Sequence, residues 1–79
     1  MSGVNGAREV AAALGLPLLR TDREAKTAPF FVAPVDRGGQ LRCRRTGRAY
    51  WFERPDRREL DHMRGVLASW RAEATAAGA

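Results

Sequence analysis

The sequence predicts a small α+β fold organised as one domain over residues 1–79, and three observations predict it. Gln40 to Arg58 gathers β-prone and aromatic residues about a tight turn. The segment after it carries Leu60, Met63, Leu67, Trp70 and Ala74 at spacings of three, four, three and four, the single stripe of an amphipathic helix. The segment before it holds helix start and stop signals. A chain of 79 residues buries a modest fraction of its surface, so the core must be small. At 44% hydrophobic it is nonetheless too apolar for a disordered tail.

The first helix is expected to begin near Asn5 or Gly6, with Asn5 as a cap and Glu9 favourably placed in the first turns. Val10, Ala13 and Leu14 make its narrow apolar face. Gly15 offers a left-handed stop, and Pro17 prevents continuation. Leu16 to Leu19 is a short apolar connector. Thr21-Asp22-Arg23-Glu24 reads as a capping box that starts a second helix at Asp22. That helix must be short, because Ala28 precedes Pro29 and is pushed out of helical geometry. Arg23, Lys26 and Thr27 would face outward from it.

Phe30 to Val35 is apolar and β-prone, with Pro34 marking an edge strand or an early break. Asp36 to Gly39 is a turn. Leu41, Cys43 and Arg45 alternate with Arg42 and Arg44, which predicts a half-buried strand with a basic outer face. Thr46-Gly47-Arg48 closes the hairpin, Gly47 supplying positive φ. Ala49 to Glu53 is the partner strand, possibilities for a three-stranded meander being set by Phe30 to Val35. Tyr50 and Phe52 point one way and Trp51 the other, so both faces are expected to make contacts. General burial preference puts this aromatic run in the core, although aromatics on a strand can also stack on unpaired bases. Asp56-Arg57-Arg58-Glu59 caps the last helix. The ends, 1–5 and 76–79, are expected to fray.

The net charge of +5 and the pI near 11.0 come almost wholly from arginine, Lys26 being the one lysine. Arginine's planar fork grips phosphate or carboxylate in two places. The same composition also follows from GC-rich coding. Cys43 is a lone cysteine, so neither an internal disulfide nor a cysteine zinc site can form. His62 has no second ligand at metal-binding spacing and reads as a surface histidine, and its neighbour Asp61 does not face it on a helix. No cofactor, metal or catalytic pair is indicated, and the chain reads as a non-enzyme. It lacks a signal-peptide pattern and an apolar run of about 20 residues, which fits a cytoplasmic protein.

The order helix, glycine turn, short helix, β-hairpin, helix resembles a small winged helix-turn-helix domain. Glu9-Val10-Ala11-Ala12-Ala13-Leu14-Gly15-Leu16 is similar to its opening helix and turn. Arg48-Ala49-Tyr50-Trp51-Phe52-Glu53-Arg54-Pro55-Asp56-Arg57-Arg58-Glu59-Leu60 is similar to the wing strand and following helix of MerR-type regulators and excisionases. The resemblance implies that Arg23, Lys26 and Thr27 face bases in the major groove, while Arg42, Arg44, Arg45 and Arg48 hold phosphates. Arg57 and Arg58, beside or opposite the apolar stripe of the last helix, are further candidate nucleic-acid contacts. The chain departs from the pattern at Leu16 to Arg20, at Pro29 and at the long apolar Phe30 to Val35 segment. With no effector domain or long dimer helix, it points to an accessory or regulatory DNA-binding protein, self-associating on adjacent duplex sites. The competing reading is a protein-binding inhibitor or adaptor of phage or mobile-element origin, whose basic face docks on an acidic protein surface.

Overall fold

A computed structural model describes residues 6–21, 23–24 and 26–78. Its elements run α1 (Ala7–Leu14), β1 (Phe30–Pro34), β2 (Gly39–Cys43), β3 (Ala49–Phe52) and α2 (Arg57–Gly78). The three strands form one antiparallel sheet in the order β1-β2-β3. Both helices pack on one face of it.

Helix α1 starts where the Glu9 carboxylate accepts the Gly6 amide at 3.3 Å. The expected cap, Asn5, lies outside the described residues. The helix stops at Gly15, whose φ of 69° lets the Leu16 amide reach back to the Ala11 carbonyl at 2.9 Å, the bond pattern of a left-handed helix end. The buried face of α1 is Ala7, Val10 and Ala11, with Ala13 and Leu14 only half-buried. This is one residue round from the expected Val10, Ala13 and Leu14, because small Ala7 and Ala11 let the helix approach the sheet closely.

The expected second helix is corrected: among the described residues no helix forms between α1 and β1. Its start, Asp22, lies outside them. The capping contacts are nevertheless present. The Thr21 hydroxyl accepts the Glu24 amide at 3.4 Å, and the Glu24 carboxylate accepts the amide of Arg20, rather than of Thr21, at 3.0 Å. They close one turn only. Pro29 leaves too few residues to offset the cost of nucleating a helix.

Strand β1 is buried on both faces from Phe30 to Ala33. Its outer edge is covered by the connector: Val32 donates to the Pro17 carbonyl at 3.0 Å and accepts from the Leu19 amide at 2.9 Å. Pro34 is the last residue of the strand, where its missing N–H is tolerated. Strand β2 ends at Cys43, so Arg44 and Arg45 belong to the turn and not to the expected strand. Arg44 still donates its amide to the Pro29 carbonyl at 2.8 Å, one step beyond the Phe30–Cys43 pair, and the chain turns away after it.

The main core unites Val10 and Ala11 of α1, Phe30, Val32, Leu41, Cys43 and Phe52 of the sheet, and Leu60, Met63 and Leu67 of α2, with Leu14 and Trp70 at its margin. The stripe expected of α2 is thus the buried one. Asp56 caps that helix, accepting the Glu59 amide at 2.8 Å. Residues 76–78, expected to fray, continue the helix, consistent with the high helix propensity of the alanines at its end. A second, smaller cluster lies on the other face of the sheet, where Phe31 and Ala33 are covered by Leu19 and Ala28 of the connector.

Candidate nucleic-acid interface

The Arg-rich turn is built by local rules. Gly47 adopts φ 78° and its amide donates to the Cys43 carbonyl at 2.9 Å. Cys43 in turn donates to the Arg48 carbonyl at 3.0 Å, and the Thr46 hydroxyl accepts the Arg48 amide at 3.2 Å. These bonds hold Arg44, Arg45 and Arg48 together on an exposed tip.

The three arginines are not equivalent. Arg48 forms an ion pair with Glu73 of α2 at 2.7 Å, both side chains about half exposed. Arg44 leans on the connector, its Nε donating to the Ala28 carbonyl at 3.4 Å. Arg45 has no acidic partner among the described residues. The field at the tip is felt by Cys43. Burial pushes its thiol up, but hydrogen bonds from the Thr46 side chain and the amides of Thr46 and Arg45, with Arg48 nearby, outweigh burial and leave it below the ordinary value. Positive groups and oriented amides favour an anion at this end of the sheet.

Arg42 points to the opposite sheet face and is half-buried. Its guanidinium donates to Gln40 at 3.0 Å and stands 5.9 Å from the Phe31 ring centre. The expected basic outer face is therefore partly covered by the connector. Arg23 lines a groove with Arg20, Thr21, Gln40 and Arg42. Lys26 and Thr27 are exposed on the connector, a residue or two from the Ala28 carbonyl that Arg44 holds. These residues project from bends and turns and not from a helix.

Arg57 and Arg58 sit apart. They open α2, whereas Glu73, sixteen residues beyond Arg57, meets Arg48 at the tip. At 1.5 Å per residue they lie about 24 Å along the helix from the tip. Cations at a helix N-terminus oppose its dipole, and the capping Asp56 and Glu59 of the first turn offset them.

Two residues at the tip escaped the sequence reading. Arg71 stands 5.7 Å from the Phe30 ring centre, on a strand residue paired with Cys43. Glu73 lies 25 residues from the arginine it pairs with, and no local pattern links them. Trp51 is a correction. Tyr50 is half-buried and Phe52 buried as expected of core, but Trp51 is 64% exposed, and among the described residues no hydrophobic cluster includes it. Tyr50 donates its hydroxyl to Glu59, and its ring lies 5.7 Å from that of exposed His62.

Comparison with protein-family models, curated proteins and solved structures yields no match to this chain. Among the described residues no group of three or more His, Cys, Asp and Glu is placed to hold a metal ion. No helix among them is long and apolar enough to cross a membrane.

Proposed function

We propose that this protein binds duplex DNA as a small accessory or regulatory factor, gripping the backbone with the turn between β2 and β3 as a wing does. The observation that carries the reading is the exposed tip on which Arg44, Arg45 and Arg48 are held together by backbone bonds, Arg45 with no acidic partner among the described residues. Such a cluster gains little within its own fold and much from phosphates, whose counterions it releases. Arg23, Lys26 and Thr27 extend the cationic surface along the connector, and base reading falls to them. The likeness to winged helix-turn-helix domains then rests on the hairpin rather than on a recognition helix.

The test is affinity for a panel of duplexes at two salt concentrations. Arg45→Ala should weaken binding to all sequences alike and reduce the salt slope by about 1. Arg23→Ala or Lys26→Ala should lower preference for a favoured site by about 1–3 kcal/mol if the side chain reads a base edge. Absence of binding at low salt would abandon DNA in favour of an acidic protein surface as the partner of the same tip.

A further inference from the structure

The face of the sheet turned away from the helices is covered over half its width only. The connector lays Leu19 and Ala28 on Phe31 and Ala33 of β1, which are buried. On β3 the same face presents Ala49 and Trp51, both exposed, the latter at 64%. The register sets Trp51 directly opposite Gln40, and Ala49 opposite Arg42. An indole therefore lies on an open sheet beside an amide and a guanidinium. Small Ala49, two residues toward the tip, leaves room at its side.

We infer that Trp51 is a stacking platform for an unpaired base, so that the preferred ligand is DNA with a single-stranded stretch. This deepens the nucleic-acid reading above and rests on it. An indole face offers a base the contact that sequence-tolerant single-strand binders use, and a base held in a duplex stack cannot present its own face to it. The charges around Trp51 give the strand a direction. On one side, toward Phe52, the surface is lined by Asp36, Glu53, Asp56 and Glu59, against Arg37 and Arg54, which repels a phosphodiester chain. On the other side the strand runs from Trp51 through Ala49 to the tip, about 13 Å at the rise of a β-strand, where Arg44 and Arg45 stand exposed. A short oligonucleotide with one base on Trp51 thus has its phosphates at the cationic tip.

The experiment measures binding of a short labelled oligothymidylate and of a duplex of equal length to the whole protein and to Trp51→Ala, Trp51→Phe and Arg45→Ala. Trp51→Ala should weaken the single strand about 5- to 150-fold, the effect of losing one stacked base, and leave the duplex unchanged. Trp51→Phe, which keeps a ring, should retain most of the affinity. Arg45→Ala should weaken both ligands. Oligothymidylate should quench the tryptophan emission of the unsubstituted protein more than that of Trp51→Ala, in which only Trp70, lining the tip with Arg45 and Arg48, still emits. If Trp51→Ala leaves single-strand affinity intact while Arg45→Ala weakens both, the platform is wrong and the backbone reading stands. If Trp51→Ala changes the sedimentation of the free protein, Trp51 is a contact between copies and the platform is equally overturned. No binding of either ligand at low salt removes both readings.

Discussion

The sheet has two turns, each with a glycine of nearly the same backbone angle, φ 81° at Gly38 and 78° at Gly47, and they have opposite surroundings. A Cβ at Gly38 would lie 2.0 Å from the Phe52 carbonyl oxygen and 2.6 Å from Glu53 Cα, while one at Gly47 would meet nothing within 4 Å. The first turn is packed under the chain leaving β3. The second projects free and carries the arginines. One dihedral requirement thus serves a closed, packed end and an open, exposed end of the same three strands.

The largest effect expected from this contrast is at the closed end. Gly38→Ala should cost about 2–5 kcal/mol, combining left-handed strain of about 1–2 with overpacking of about 1–3. Domains hold only about 5–15 kcal/mol in total. Gly47→Ala should lose the strain alone, about 1–2 kcal/mol, and Gly47→Asn less, since Asn tolerates this conformation. Denaturant midpoints for the three variants measure the difference. Equal losses for the two alanine variants would erase the distinction between the ends.

The bond from Tyr50 to Glu59 joins β3 to the first turns of α2 and sharpens the closed end further. Glu59, as acceptor of the hydroxyl proton, raises the Tyr50 pKa to about 12, with burial and the carboxylate charge adding to it. A raised pKa means that the fold favours the neutral phenol. The stabilisation is complete below the ordinary value near 10 and is lost as pH rises from there to about 12. Tyr50→Phe should cost about 0.5–1.5 kcal/mol at pH 8 and should flatten the decline in stability across that window. An unchanged alkaline profile would show that the bond does not couple strand to helix.

The smallest effect belongs to the open end. The Arg48–Glu73 pair is about half exposed, and such pairs contribute about 0–1 kcal/mol. Glu73→Ala should therefore barely move the melting midpoint, yet it releases Arg48 and removes an acid from the tip. DNA affinity at low salt should rise about two- to fivefold, the equivalent of such a pair. A fall in affinity would mean that Glu73 orients Arg48 for its partner instead of competing for it.

Much of this contrast was legible in the chain. Gly47 with its neighbours announced a free turn rich in arginine, and Asp56 with the stripe from Leu60 to Trp70 announced where α2 begins and which side it buries. The packed state of Gly38 was not legible, since its neighbours Phe52 and Glu53 arrive from another strand. Of the capping box at Thr21, the bond to the Thr21 hydroxyl was read correctly, the return bond of Glu24 goes to Arg20 instead of Thr21, and the helix does not form. Capping contacts form within a few residues, but a helix also needs length, and Pro29 denies it.

What the sequence by itself determined was whatever closes within one turn or one strand: the left-handed stop at Gly15, the cap at Asp56, the alternation of Leu41 and Cys43, the stripe of α2. Backbone sterics and side-chain period act there over a few residues, and no distant neighbour is required. The tertiary structure alone decided which parts of the sheet's second face meet water. It laid Leu19 and Ala28 over Phe31 and Ala33 but left Trp51 exposed. It drew Arg42 under the connector, and it gave Arg48 to a carboxylate 25 residues away. Burial and charge pairing depend on the surfaces that folding brings together, and these lie far apart along the chain.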